Sequence, residues 1–184
     1  MPLDKIMPLG GSEPTPKLLG RQGVASLQSP NMPFLKFGLR PATPDDLELT
    51  YDIKHAAFRV YAEEAWGPWE HAVVMHIHRE LYDPAMIQLI TLDGQDVGWI
   101  GIEPKDGCLL LANIHVLPAY QGRGIGGWVI TAVLDEAREQ GLPVRLRVLK
   151  CNPRARVLYV RLGFRVVVAE ETETHYTMAC GGSA

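Results

Sequence analysis

Gln121-Gly122-Arg123-Gly124-Ile125-Gly126-Gly127 lies between an apolar run, Leu109 to Val116, and a segment in which Ile130, Val133, Leu134 and Ala137 recur at i, i+3, i+4 and i+7. The run reads as a strand and the periodic segment as one buried face of a helix. A glycine-rich turn therefore delivers a helix N-terminus at the end of a strand. Glycine permits positive φ and lets a ligand approach the backbone closely. The first-turn N–H groups of a helix have no internal partner, and the macrodipole adds partial positive charge there. Such a turn binds phosphate well, so the stretch points to a phosphate-bearing cofactor.

Two cofactor patterns compete for this turn. Gly122, Gly124 and Gly127 satisfy G-x-G-x-x-G, the dinucleotide fingerprint. That fingerprint wants its first glycine directly after the strand and an acidic residue about twenty positions on. Here Leu117 to Gln121 intervene, and the next expected strand, Val144 to Leu149, ends in Lys150-Cys151. No G-x-x-x-x-G-K-[ST] loop is present. Gln121, Gly124 and Gly126 instead give Q-x-x-G-x-G, which resembles the acetyl-CoA pyrophosphate loop of the GNAT superfamily of N-acetyltransferases. Val116 and Pro118 resemble that family's lead-in from strand to loop.

A second motif follows in the order the resemblance requires. Asn152, Ala155, Leu158, Tyr159, Gly163 and Phe164 fit N-x-x-A-x-x-L-Y-x-x-x-G-F. This resembles the GNAT segment that contacts the pantetheine arm and supplies a catalytic tyrosine. Leu39 to Leu47 also resembles a GNAT opening, so the resemblance covers about residue 37 to 180. It implies acetyl-CoA as cosubstrate, without a metal. Its cofactor-binding residues would be Ile114, His115 and Val116 on the strand, Gln121, Gly122, Arg123, Gly124, Ile125, Gly126 and Gly127 in the turn, and Asn152 and Tyr159 in the second motif. Acetyl transfer from a thioester to an amine needs a deprotonated amine, a stabilised oxyanion and a protonated thiolate leaving group. Tyr159 is the candidate acid for that thiolate, because a phenol near the sulfur can deliver the proton. His115 is the candidate base, since an imidazole titrates in the useful range. Glu103 and Glu80 are weaker candidates. Direct attack by the amine requires no nucleophilic cysteine, so Cys151 reads as structural.

At 184 residues, 47% hydrophobic and 21% charged, the chain is long enough for one domain with a sizeable core. Its net charge of −3 gives no global sign of a nucleic-acid binder. No Asp or Glu falls between Gln140 and Ala169, where Arg145, Arg147, Lys150, Arg154, Arg156, Arg161 and Arg165 gather. That block suits a polyanion such as CoA, or simply a solvated basic face. Cys108, Cys151 and Cys180 form no C-x-x-C, and no signal peptide is recognisable, so reduced thiols and a cytoplasmic location are expected. No run is long enough to span a bilayer as a helix.

Residues 1–33 hold six of the fourteen prolines and little apolar periodicity, and read as a disordered extension. Residues 34–184 read as one domain. Phe34 to Arg40 reads as its first strand. Thr43-Pro44-Asp45-Asp46 supplies a cap, an N1 proline and first-turn acids for a helix through about Phe58. A second helix is expected near His71 to Leu81. Trp66, with Trp69 beside it, is the candidate wall for an apolar or aromatic amine acceptor. His71, His76 and His78 lack H-E-x-x-H spacing, so no metal site is expected. Three strands over Met86 to Leu92, Val97 to Glu103 and Cys108 to Val116 are separated by Asp93-Gly94 and Asp106-Gly107, which are hairpin signals. A strand over Val144 to Leu149, a short helix after Asn152-Pro153 and strands at Phe164 to Val168 and Tyr176 to Cys180 complete the chain.

The expected fold class is thus α/β (α+β). A mixed, mostly antiparallel sheet would carry helices on both faces and splay at the cofactor site. The leading function is an N-acetyltransferase moving an acetyl group from acetyl-CoA to a small-molecule or peptide amine in a ternary complex. A non-catalytic CoA-binding module and an NAD(P)-binding oxidoreductase remain as alternatives. Neither nucleic acid nor membrane is an expected partner. The acceptor is left open, as is the oligomeric state, for which a homodimer is one candidate.

Overall fold

The computed structural model describes residues 27–29, 32–105 and 107–181, with side chains from residue 36 onward. Most of the expected 1–33 extension lies outside these residues, but a short strand, β1 (Leu27–Ser29), pairs antiparallel with β2 (Met32–Pro41). The first strand thus starts before Phe34.

Three antiparallel pairings carry the sheet from β2 through β3 (Ile87–Leu92) and β4 (Gln95–Lys105) to β5 (Cys108–Val116). A parallel step then joins β5 to β6 (Val144–Leu149). Two more strands, β7 (Arg165–Val166) and β8 (His175–Cys180), complete the order β1-β2-β3-β4-β5-β6-β8-β7. The single parallel pairing is what a connection through a helix allows, whereas the tight turns give antiparallel neighbours. A doubly wound dinucleotide sheet is therefore absent among the described residues.

Helix α1 (Leu47–Trp66) runs two turns past the expected end at Phe58 and stops at Gly67, φ +91°. Nothing between Phe58 and Trp66 breaks a helix, and Gly67-Pro68 is the first punctuation. Trp66 thus belongs to the last turn of a helix rather than to a loop. Its entry is held by Asp46, whose carboxylate accepts from the Thr43 N–H at 2.8 Å and the Thr43 Oγ1 at 2.9 Å. Arg40 clamps the same carboxylate at 2.7 Å and Asp96 at 2.7 Å, tying β2 and β4 to the helix start. Helix α2 (His71–Glu80) follows.

Alternation along the strands sorts the core onto two faces. Leu89 and Trp99 pack with Ile53 of α1, while Ile90 and Ile100 pack with the buried face of α3 (Ile125–Glu139): Ile125, Val129, Ile130, Val133 and Ala137. Helix α4 (Pro153–Arg161) joins α3 through Leu158 and Tyr159. Helices accordingly cover both faces, as expected.

A bulge on β5 sets up the site. Gly101 pairs with Asn113 but Ile102 with Leu111, so Ala112 is an extra residue. One inserted residue reverses which face the following side chains meet. Leu109 and Leu111 face α3 before the bulge, and Ile114 and Val116 face it after. His115 is thereby turned to the α1 face, beside Trp99. The β5–β6 ladder ends at the pair Leu111 and Leu146, so the two strands part beyond the bulge.

Candidate active site

The parting strands open a cleft of about 1040 Å³. Its walls come from the inner face of α1, the free edge of β5, the glycine turn with the start of α3, and α4.

On β5, the Leu117 N–H donates to the Val97 carbonyl. In that register Trp99 and His115 form a hydrogen-bonded pair, and Gly98–Val116 and Ile100–Ile114 form non-hydrogen-bonded pairs. The N–H and C=O groups of Ile114 and Val116 therefore point away from β4, into the gap that β6 leaves. Those of His115 are used by Trp99. The edge offers a ladder of backbone groups to an extended ligand, with His115 contributing none of them.

The glycine turn begins with Gln121, whose Nε2 donates to the Val116 carbonyl at 2.9 Å and pins the turn to the strand end. Gly122 (φ +77°) and Gly124 (φ +81°) are left-handed, a region costly for residues with a Cβ. Gly124 caps α3, and the first amide bonded back into the helix is that of Trp128, to Gly124 O. The N–H groups of Ile125, Gly126 and Gly127 are thus the unpartnered first turn. A Cβ at Gly126 would lie 3.4 Å from Leu158 Cδ2, so glycine here keeps the mouth between α3 and α4 open. The Arg123 side chain folds away: it donates to Ala119 O at 3.1 Å and lies over the Tyr120 ring, outside the cleft lining.

The basic block divides. Arg147, Arg154 and Arg161 line the cleft. Arg145 pairs with Glu170 and Lys150 with Glu171, while Arg156 stacks on Tyr176. Arg154 and Arg161 with the α3 N-terminus suit a polyphosphate, the free β5 edge suits an amide-bearing arm, and Arg147 lies against His175 at 3.3 Å. The residues present fit acetyl-CoA. Asn152 caps α4, accepting from the Ala155 N–H at 3.1 Å, and also faces the cleft.

Tyr159 lines the cleft, packed edge-on to Phe164. Its side chain makes no hydrogen bond among the described residues. Burial pushes the phenol up to about 12, so it stays protonated at working pH.

His115 is 7% exposed, packed between the tilted rings of Trp99 at 4.8 Å and Phe58 at 5.6 Å. Burial, with Lys54 and His78 nearby, pulls it down to about 3. Its Nε2 is enclosed and has no partner among the described residues. This ring is neutral, and charging it is strongly disfavoured. Glu103 lies beside Lys105 and Glu80 is exposed at the end of α2; neither lines the cleft.

The acceptor end is aromatic. Trp66 sits edge-on to Phe58 at 6.1 Å and reaches His175 at 5.7 Å. The Trp69 indole donates to Tyr51 Oη, which also meets His71 Nδ1 at 2.9 Å. His78 Nε2 meets Thr50 Oγ1 at 3.0 Å. Two of the three α2 histidines are thus engaged in packing. The Cys151 thiol reaches the Tyr61 carbonyl, joining α1 to the start of α4.

Sequence reasoning missed Lys54, which lines the cleft from α1. Burial pulls its ammonium down to about 8. Its spacing from Phe58, Tyr61 and Ala62 places it on the helix's inward face, and that periodicity was the available signal.

Comparison with known proteins agrees with this geometry. The model of the "Acetyltransferase (GNAT) family" matches residues 47–164, and the chain belongs to that family. Over 137 residues it is 26% identical to the [ribosomal protein bS18]-alanine N-acetyltransferase of Haemophilus influenzae, covering 74% of this chain and 86% of that protein. It is 32% identical over 98 residues to mycothiol acetyltransferase of Streptomyces avermitilis, covering 52% of this chain and 31% of that protein, so the match spans about a third of that relative. A similar fold occurs in the PaiA N-acetyltransferase of Thermoplasma acidophilum in complex with coenzyme A, at TM-score 0.65 and 16% identity, covering 80% and 99% of the two chains. No described helix is long and apolar enough to cross a membrane.

Proposed function

We infer that this chain is an acetyl-CoA-dependent N-acetyltransferase acting on a primary amine by direct attack in a ternary complex. The observation that carries the reading is the parting of β5 and β6 beyond Leu111–Leu146, with a glycine-capped helix N-terminus and the Tyr159 phenol in one cleft. The family membership and the N-acetyltransferase names of its relatives support it.

In this reading the α3 amides, with Arg154 and Arg161 of α4, hold the pyrophosphate, and Ile114 and Val116 hold the pantetheine amides. Acetyl-CoA supplies an activated acyl group. The amine nitrogen forms a bond to the acyl carbon as the C–S bond breaks. Tyr159 gives its proton to the departing sulfur and is reprotonated from solvent, to which the amine's surplus proton is lost. His115 acts as a rigid wall that orients α1 against β5, because an imidazole held down near 3 is a poor acceptor of that proton. Trp66 and Phe58 shape the acceptor end.

Incubation of the purified protein with acetyl-CoA and an amine panel, following thiol release, tests the reading. Amine-dependent release with an acetylated product is expected. Tight CoA binding with no release on any amine would favour a binding module instead.

A further inference from the structure

Lys54 is a half-buried cation that lines the cleft with no counter-charge among the described residues. It makes no hydrogen bond or ion pair among the described residues. His78 and His115, whose pKa values Lys54 helps to lower, are both held neutral, so of these three Lys54 is the one that carries charge. Among the described residues the only carboxylate lining the cleft is Asp135. That residue lies ten positions into α3, about 15 Å along the helix from its start, and is paired with Arg138. The acceptor end therefore offers an incoming ammonium no negative partner and presents it with a positive one. A simple cationic amine is poorly matched to such a pocket. A molecule carrying a carboxylate beside its amine is well matched, since a buried charge is tolerated when paired. The surrounding Phe58, Trp66 and Tyr61 suit an apolar or aromatic remainder.

We propose that Lys54 binds the carboxylate of the acetyl acceptor, so that the acceptor class is an amino acid or a peptide with a carboxylate near its amine. This deepens the acetyltransferase reading and rests on it. Specificity arises because the acceptor's carboxylate pairs with Lys54 and so fixes where its amine sits, while the amine's surplus proton leaves to solvent.

The test uses matched sets: amino acids including phenylalanine and leucine, their amides, and their decarboxylated amines. Wild type is expected to prefer the acids over the amides by at least about tenfold in kcat/KM, as one well-placed charge pair allows. Lys54→Met should bring the two near parity, mainly through KM of the acids, and Lys54→Arg should restore part of the preference. Acetyl-CoA affinity should be unchanged in both. No preference in wild type would overturn the proposal while leaving the acetyltransferase reading intact, because thiol release with any amine tests that separately. An equal fall in kcat for every amine in Lys54→Met would overturn it in favour of a proton-moving lysine. Lost CoA binding would overturn it in favour of a cofactor contact. Calorimetric titration of N-acetylphenylalanine against N-acetylphenylalaninamide, with and without CoA, reads the same preference without turnover, and equal affinities in wild type would overturn it too.

Discussion

Gly98 lies across the sheet from Val116, so close that a Cβ on it would stand 2.4 Å from the His115 carbonyl oxygen. The approach involves backbone on both sides, and a side chain cannot swing clear of it. Gly98→Ala should therefore push β5 outward where it forms the cleft edge. Overpacking of this kind costs roughly 1–3 kcal/mol. Chemical denaturation should show that loss, and calorimetry should show weaker CoA binding, because the Ile114 and Val116 amides move with the strand. Wild-type stability and affinity together would show that this edge is not the cofactor's seat.

Gly126→Asp places a carboxylate at the helix N-terminus, where the account seats a pyrophosphate. The Cβ itself meets only the flexible end of Leu158 at 3.4 Å, so the fold should persist. Circular dichroism should match wild type while CoA binding disappears. Gly126→Ala, which adds bulk without charge, should lose less. Undiminished binding by a folded Asp variant would move the cofactor away from this turn.

Three buried histidines make stability fall on acidification. His78 and His175 are pulled down to about 4 and His115 to about 3, each chiefly by burial. The unfolded chain binds protons near pH 6.5, about the ordinary histidine value. Between that pH and the folded values the unfolded state holds more protons, so stability drops as pH falls. From pH 7.5 to 5.5 the loss should be roughly 1 kcal/mol per histidine. Asp46, held below the usual carboxylate range first by Arg40, contributes stability that is lost only further down, below about pH 4. Urea midpoints at the two higher pH values read the histidine part. Equal midpoints there would mean these rings are not held neutral.

The glycine turn, α3, the Asn152 cap and the hairpin preceding β4 were legible because each is a local pattern of fewer than about twenty residues. The Ala112 bulge was not. Plain alternation puts His115 on the same face as Leu109 and Leu111, and only pairing with β4 reveals the extra residue. The bulge turns His115 to the α1 face, between Trp99 and Phe58, where it still borders the cleft. Lys54 escaped notice for a related reason. A lysine on a helix reads as solvated until the strands opposite are in place, and here β5, which faces it across the cleft, lies about sixty positions on in the chain. The fate of the basic block likewise depended on Glu170, Glu171 and Tyr176, which β8 and its lead-in bring alongside β6 and α4.

In the proposed reaction this cleft holds acetyl-CoA and Tyr159 protonates the departing thiolate. Tyr159→Phe keeps the ring against Phe164 and removes one hydroxyl that has no partner among the described residues. Folding and acetyl-CoA affinity should therefore hardly change. Loss of a positioned acid typically lowers the rate by roughly 10²–10⁴. The lower end is expected here, because a thiolate leaves tolerably unaided and a phenol held near 12 is a weak acid. Steady-state turnover beside calorimetric Kd for CoA is the measurement. A fall in kcat of about a hundredfold at unchanged Kd is the predicted result, the signature of an interaction used in the transition state. Unchanged kcat where chemistry limits the rate, or a Kd that weakens as much as kcat falls, would contradict the assignment.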